Sequence, residues 1–218
     1  MELNKKIIAV IIAVIVIIVA VSTIFVSGFF DTPIGEVTPF DNNFASGEFM
    51  GNVTLENSTN QWSVAYSDKE NQIEYNMSTC KNASLIVDMY VIEGMDGPEH
   101  RTFNNNEWDI YYAEGTSDSG EGDKIDVYMC VANQGEQSYI IYTIFYNTTR
   151  TESSGGVYSE GYGNYIEPLL DSITLKENPN APTIYEALEI DQGTYQQYVH
   201  LVDQVKKGNQ TAIQQLLG

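Results

Sequence analysis

The feature that most constrains this chain is an unbroken apolar run from Ile7 to Val26, preceded directly by Lys5 and Lys6. As a helix rising ~1.5 Å per residue, the run would be about 30 Å long, which matches the hydrocarbon core of a bilayer. The sequence therefore predicts one membrane-spanning helix, residues 7–26, in contact with lipid. Because cationic flanks stay on the cytoplasmic side, we expect the N-terminus inside and residues 31–218 outside.

A cleaved secretory signal is the alternative interpretation of this segment. Such signals have an apolar core of about 7 to 15 residues, followed by a small-x-small cleavage site. Ala20-Val21-Ser22 and Val26-Ser27-Gly28 fit such a site, and cleavage there would give a secreted protein. The length of the apolar run favours a retained signal-anchor.

The charge of the chain is strongly negative: 218 residues carry 30 acidic and 10 basic side chains, a net charge of -20. This sign of charge repels nucleic acid and anionic headgroups, so nucleic acid is excluded as a partner. Hydrophobic residues make up 43% of the chain and there are fifteen tyrosines. This composition indicates a packed core rather than disorder.

Strand-like patterns of apolar residues follow one another through the middle of the chain. The segments are Glu48–Leu55, Trp62–Ser67, Ile73–Cys80, Ser84–Ile92, Trp108–Ala113, Lys124–Ala132 and Tyr139–Tyr146. Polar turns join them, and Gly135 can supply the positive φ of a hairpin turn between the last two. We therefore expect a mainly antiparallel sheet of about six to eight strands.

Two of these segments, Ser84–Ile92 and Tyr139–Tyr146, are apolar on both faces, apart from Asp88 in the first. A strand that is apolar on both sides has to be covered on both sides. The pattern therefore predicts that other elements pack on the second face of the sheet.

The last third of the chain can supply this cover. We expect a short helix at Tyr165–Asp171 and a strand at Ser172–Lys176. The sequences from Thr183 to Glu186 and from Thr194 to Gln197 have the form of capping boxes, which begin helices. Gly208 is expected to end the second of these helices.

The expected fold class is α+β, with an N-terminal transmembrane helix, a mainly antiparallel sheet and C-terminal helices packed on it. Residues 1–29 form the cytoplasmic stub and anchor, and residues 30–43, with two prolines, a juxtamembrane linker. Residues 44–178 form the sheet domain, and residues 179–218 the helical segment packed on it.

The cysteines are Cys80 and Cys130. In an oxidising exterior, an isolated pair indicates a disulfide, and strand alternation places both thiols away from the main apolar stripes of their strands. Closing this loop would stabilise the fold by ~4 kcal/mol in the chain-entropy model. Two free thiols are the alternative.

Six Asn-x-Ser/Thr sequons make the chain a candidate glycoprotein if it is exported. The acceptor residues are Asn52, Asn57, Asn76, Asn82, Asn147 and Asn209.

Known catalytic and metal-binding patterns are missing from the sequence. The histidines are His100 and His200, and no G-x-S-x-G motif places a nucleophilic serine. The acids of residues 118–126 do not follow the calcium-loop pattern. Asp88, within an apolar segment, is the acid whose environment best suits a raised pKa. We assign no catalytic, cofactor-binding or metal-ligating residue.

The order of elements in residues 101–175 resembles the second half of PsbP/Mog1-type sheet domains. The resemblance rests on RTFNNNEWDIYYAEG, the hairpin KIDVYMCVANQGEQSYIIYTIFYN, and the ending YIEPLLDSITL. It implies helices flanking an antiparallel sheet and a non-enzymatic binding or assembly role, and it carries over no functional residue. The overall layout resembles uncharacterised membrane-anchored surface proteins of methanogenic archaea.

These features predict a single-pass membrane protein with an acidic extracytoplasmic domain for binding or assembly, which is not an enzyme and needs no cofactor. Its partner would be a protein or a cell-envelope component. The alternatives are an exported, carboxylate-dependent, glycosidase-like hydrolase and a structural component of the cell envelope.

Overall fold

The structure, a computed structural model, describes residues 36–116, 124–146 and 159–217. In chain order the elements are β1 (Val37–Asp41), β2 (Ala45–Met50), β3 (Thr54–Asn60), β4 (Ser63–Asp68), β5 (Ile73–Lys81), α1 (Ser84–Ile92), β6 (Asp96–Phe103), β7 (Asn106–Thr116), β8 (Lys124–Gln134), β9 (Gln137–Phe145), a π-helical turn (Tyr162–Ile166) continuing into α2 (Glu167–Ser172), β10 (Thr174–Leu175), α3 (Ile184–Ala187), α4 (Gln192–Lys206) and α5 (Gln210–Leu217).

The main sheet has seven strands in the order β3-β4-β5-β9-β8-β7-β6, and every neighbouring pair is antiparallel. A second sheet has the order β1-β2-β10. The predicted α+β class, with an antiparallel sheet and C-terminal helices, is confirmed. The predicted anchor, residues 7–26, lies outside the described residues, and within them no helix has the length and apolar character needed to cross a bilayer.

One face of the main sheet carries the principal core. A lateral row of side chains crosses five neighbouring strands, because Tyr66 is paired with Tyr75, Tyr75 with Thr143, Thr143 with Tyr128 and Tyr128 with Tyr112. All belong to this face, and the three central ones are almost completely buried. The row gives this face of the sheet a layer of tyrosine rings on both sides of Thr143, which is called the aromatic floor below.

The second sheet and the helical turn before β10 cover this floor. Phe49 of β2 packs against both Tyr66 and Tyr75, with ring centroids 5.0 and 4.8 Å away. Tyr162 of the π-helical turn packs against Tyr128 at 5.7 Å. Burial of these rings stabilises the contact between the two sheets through their large apolar area.

The opposite face is covered by α1 and α3, and α1 is in turn covered by α4 and α5. Met129, Val131 and Ile140 form a buried cluster with residues of α1 and α3. On the outer side of α1, Leu85 is buried with Tyr198 of α4 and Leu216 of α5. Helix α1 is therefore enclosed between the sheet and the C-terminal helices.

The prediction of a strand at Ser84–Ile92 is wrong, because this segment forms α1. Its end has the hydrogen bonds of a Schellman motif: Gly94 N–H donates to Val91 O, and Met95 N–H donates to Tyr90 O. Gly94 has the positive φ of +116° that this motif requires. The segment is apolar all round because the helix is covered on two sides, which the sequence pattern alone could not distinguish from a two-faced strand.

The prediction of a linker at residues 30–43 is wrong for Val37–Asp41, because these residues form β1 and pair with β2. Pro39 is compatible with this strand because β1 is at the edge of its sheet, where a missing N–H costs no ladder hydrogen bond. The predicted strand Glu48–Leu55 is divided between β2 and β3 at Gly51, whose φ is +102°.

Strand β6 was not predicted, because it contains Gly97 and Pro98, which lower the strand signal. It is an edge strand of the main sheet, at the end opposite β3, and its Gly97–Pro98 peptide bond is cis. The remaining predicted strands of the main sheet are confirmed, with differences of a few residues at their ends.

The helix starts were predicted in part. The capping box from Thr183 to Glu186 is present at the start of α3. Helix α4 begins earlier than Thr194, because Asp191 is its N-cap and accepts a hydrogen bond from Thr194 N–H. Gly208, with φ +79°, follows the end of α4 as predicted.

The enclosure of α1 predicts a large difference in cost between two truncations to alanine on the same helix. Leu85→Ala should lower the free energy of unfolding by about 2 to 4 kcal/mol, because it leaves a cavity between α1 and α4. Val91→Ala, where the side chain is 39% exposed, should cost less than about 0.5 kcal/mol. Urea unfolding of both variants measures the difference, and equal costs would contradict the helical packing.

Candidate functional site

On the helical face of the main sheet, the side chains change from apolar to polar between β9 and β4. Over β8 and β9 this face is apolar, but β5 places the polar residues Glu74, Asn76 and Ser78 on it. Ser63 of β4 lies opposite Ser78 and donates a hydrogen bond to Asn76 Oδ1 at 3.2 Å. Asn76, Ser78 and Ser63 together are called the polar strip, which lies beside α1 and α3.

A cavity of about 130 Å³ lies at this boundary, between α1, α3 and strands β4, β5 and β9. Its wall is mostly apolar: Ile86 and Tyr90 come from α1, Ile140 and Tyr142 from β9, and Leu188 from the residue after α3. Its floor includes the polar strip just described. Apolar walls with a few placed polar groups are typical of ligand-binding cavities.

Two tyrosines of the wall stack on each other. The rings of Tyr90 and Tyr142 have centroids 5.5 Å apart and planes inclined by 32°, a tilted arrangement that aromatic pairs favour. Burial raises the pKa of Tyr142 to about 12, and the negative charge of Glu93 adds to the effect. Both hydroxyl groups therefore remain neutral at physiological pH and can act as hydrogen-bond donors.

Trp62 lies at the rim of the cavity, in the turn that leads into β4. Its backbone is held in place because Thr79 N–H donates to Trp62 O at 3.0 Å. The indole ring is half-buried. This residue is therefore positioned to report on the occupancy of the cavity.

A small acidic depression adjoins the cavity on the same face of the sheet. It shares Asn76 and Tyr142 with the cavity, and Glu56 and Glu74 line its far side. Ser67 Oγ donates to Glu56 Oε1 at 2.5 Å, and Tyr146 Oη donates to Glu74 Oε2 at 3.0 Å. The cavity and the depression together are called the groove below.

The two carboxylates of the groove have opposite pKa shifts. The hydrogen bond from Ser67 and the neighbouring Lys69 lower the pKa of Glu56. Burial raises the pKa of Glu74, and the charge of Glu56 adds to the effect. On acidification, Glu74 is therefore protonated before Glu56.

The structure places the two cysteines on opposite faces of the main sheet. Cys80 lines the cavity on the helical face, whereas Cys130 belongs to the principal core under the second sheet. Both are buried free thiols, so the predicted Cys80–Cys130 disulfide is not formed. A sheet separates the two sulfur atoms, and no change of side-chain rotamer can bridge it.

The environment of the two thiols makes them poor nucleophiles. Burial raises the pKa of Cys80 to about 12 and also raises the pKa of Cys130. The reactive thiolate form is therefore scarce at neutral pH.

The sequons differ in accessibility. Asn52, Asn82 and Asn209 are exposed, and Asn209 also accepts a hydrogen bond from Thr211 N–H at the start of α5. Asn76 is half-buried in a central strand, where its side chain lines the groove and leaves little room for a glycan. The side chain of Asn57 and the whole of Asn147 lie outside the described part of the chain.

Other acids and histidines considered in the sequence have structural partners or lie outside the description. Asp88 pairs with Lys206 of α4 at 2.8 Å, which ties α1 to α4. His100 Nδ1 lies 2.6 Å from Asp109 Oδ1 on the surface of β6 and β7, and His200 is exposed on α4. Residues 117–123, which contain most of the acidic loop, are outside the described ranges.

Sequence reasoning did not find the groove. Its walls come from α1, which was predicted as a strand, and from a helix more than 90 residues further along the chain. The glycine that follows α1 was the available signal, since a glycine directly after an apolar segment is typical of a helix end.

No protein-family model matches the chain, and no curated protein matches it. Among solved structures, the chain is similar to a crystal structure from Bacteroides thetaiotaomicron, at 8% sequence identity and a TM-score of 0.44. The similarity covers 84% of this chain and 76% of that one. A likeness at this level assigns no family, and the resemblance to PsbP/Mog1-type domains stays a prediction.

The placement of the thiols predicts that oxidation state does not affect stability. Titration of the unreduced, denatured chain with a thiol reagent should find both cysteines free, and dithiothreitol should leave the melting temperature unchanged. The native chain should react much more slowly than the denatured one, because both sulfur atoms are buried. Recovery of a Cys80–Cys130 cross-linked peptide would contradict the structure.

Proposed function

We propose that the chain is a single-pass membrane protein whose acidic extracytoplasmic domain binds a protein partner and is not an enzyme. The observation that carries the proposal is the apolar cavity between α1, α3 and the main sheet. The membrane anchor of this proposal rests on the sequence of residues 7–26.

The size of the cavity supports a particular kind of occupant. An apolar cavity of about 150 Å³ binds benzene, and binding sites for whole drug-sized molecules measure about 300 to 1,000 Å³. At about 130 Å³, this cavity suits one ring-sized or branched aliphatic group. A side chain from a larger partner has this size, and the rest of the partner would lie outside the cavity.

Protein interfaces commonly use such an arrangement. An apolar or aromatic side chain inserts into a pocket and supplies much of the binding energy, while the surrounding contacts exclude water. The tyrosine and tryptophan side chains around the cavity suit this role, because they give apolar area at a small entropic cost. We therefore propose that the partner presents one Phe- or Leu-sized side chain to the cavity.

The binding proposal is tested by fluorine NMR on the full-length chain, purified in detergent and labelled with 5-fluorotryptophan. The two tryptophans give one signal from the cavity rim, Trp62, and one reference signal from the core of the opposite face, Trp108. Titration with N-acetyl-phenylalanine amide should shift the Trp62 signal and leave the Trp108 signal in place. The Trp62→Phe variant assigns the two signals.

A pair of variants provides the control. Ala187 is exposed and lines the cavity, so Ala187→Phe should fill its mouth and abolish the titration shift. Gln196→Phe places the same ring on the exposed surface of α4 and should leave the shift unchanged. A Trp62 signal that does not respond in the unmodified chain, up to the solubility of the ligand, would refute the proposal.

The topology is tested separately by adding protease to intact cells or spheroplasts. The proposal expects residues beyond the linker to be digested, because they lie outside the membrane. A domain that is protected until the cells are lysed would contradict this part of the proposal.

A carboxylate-dependent, glycosidase-like hydrolase is a second candidate, favoured by one observation. Glu56 and Glu74 lie in one groove and their pKa values are shifted in opposite directions, as in a pair with separate acid and base roles. Against it, the depression beside them measures only about 20 Å³, which is too small for a sugar ring. Release of reducing sugars from cell-wall glycans, lost in Glu74→Gln, would establish this candidate.

A further inference from the structure

The groove offers a partner more than an apolar cavity, because an acidic depression adjoins the cavity. Asn76 and Tyr142 line both parts, so an extended segment lying on this face would contact both. Glu74 is two residues before Asn76 on the same face of β5, at a distance of roughly 6.7 Å along the strand.

Among the residues that the structure describes, the carboxylates around the groove outnumber the cations. Glu56 pairs with Lys69 at 3.1 Å, but Glu74 forms no ion pair with a lysine or arginine of the described residues, and its contact is the hydroxyl of Tyr146. Glu93, at the end of α1, adds negative charge near the Tyr142 ring. The groove is therefore electrostatically suited to a cation.

The spacing of these features matches an extended peptide. In an extended segment, side chains two residues apart point to the same side and are separated by the same roughly 6.7 Å. On β5 the cavity lining runs from Asn76 to Cys80, so a side chain in the cavity would place the residue two positions away near Asn76, from which a long side chain can reach Glu74. A flexible, cationic side chain at this position can pair with Glu74.

We propose that the groove recognises a basic protein segment in which a Phe- or Leu-sized side chain enters the cavity and a Lys or Arg two residues away pairs with Glu74. This inference rests on the proposed function, since it needs the cavity to bind the apolar side chain.

Two peptides of equal length separate the apolar and the charged contributions. They are acetyl-Lys-Gly-Phe-Gly-Lys-amide and acetyl-Gln-Gly-Phe-Gly-Gln-amide, which are symmetric so that either chain direction presents the same side chains. Their dissociation constants are measured from the Trp62 signal of the fluorotryptophan-labelled full-length chain. The lysine peptide should bind about fivefold more tightly, as a partly exposed ion pair would give.

Two carboxylate variants test whether the preference comes from the groove or from the overall negative charge. Glu74→Gln should reduce the preference for the lysine peptide to nearly none while both peptides still shift the Trp62 signal. Glu107→Gln removes the same charge from an exposed position on β7 and should leave the preference unchanged. High salt should weaken the lysine peptide more than the glutamine peptide.

The outcomes are distinguishable. Equal affinity of the two peptides, or an equal loss in both variants, would overturn this inference and leave the proposed function standing. Binding of neither peptide would overturn both. A preference that is lost in Glu74→Gln alone supports the basic segment as the ligand.

The pH dependence gives a further measurement. Because burial raises the pKa of Glu74, its charge is lost at a higher pH than that of an ordinary glutamate. The preference for the lysine peptide should therefore fall on mild acidification before the affinity for the glutamine peptide changes. A preference that persists after Glu74 is protonated would contradict the pairing.

Discussion

The fold depends on the need to cover both faces of the central strands. From Asp126 to Ala132, every residue of β8 is buried, so the strand exposes neither face. A strand of this kind is stable only between two apolar layers. The second sheet with the helical turn before β10 covers one face, and α1 with α3 covers the other. Since α1 is itself apolar all round, it requires a further layer, which α4 and α5 supply.

The groove is a consequence of where this cover ends. Helices α1 and α3 extend over β9 and β5, but β4 carries short polar residues on the same face and remains partly open. The cavity lies at the transition, where Tyr90 and Leu188 meet Ser63 and Ser78. The same transition brings Glu74 next to buried aromatic rings, and the lost hydration accounts for its raised pKa.

The parts of the fold that follow from local patterns could be predicted from the sequence. Strand-like patterns of apolar residues identified β4, β5, β8 and β9, and Gly135 identified the turn between the last two. Edge strands β1 and β6 were missed because each contains a proline, which is tolerated at an edge but lowers the strand signal. A segment that is covered on both sides is apolar all round, whether it forms a helix or a strand. For Ser84–Ile92 the sequence signal that favours a helix is Gly94, the glycine of the Schellman motif.

The site could not be predicted, because it depends on contacts between distant segments. Alternation predicts to which side of its own strand each thiol points. Whether the two sides belong to the same face of the sheet depends on how β5 and β8 are each paired with β9, which lies between them. In the structure, Cys80 pairs with Ser138, and Cys130 with Ile141. These two residues of β9 are separated by an odd number of positions, so the thiols lie on opposite faces. The groove likewise requires α3 to reach β5, which no local pattern encodes.

The proposed function requires that the cavity left by the incomplete cover of the helical face accepts a ring. Crystals of the full chain soaked in iodobenzene test it most directly, because iodine is located by its anomalous scattering. We expect one strong iodine peak lined by Tyr90, Tyr142 and Leu188. A cavity filled by its own side chains, with iodine found only elsewhere, would contradict it.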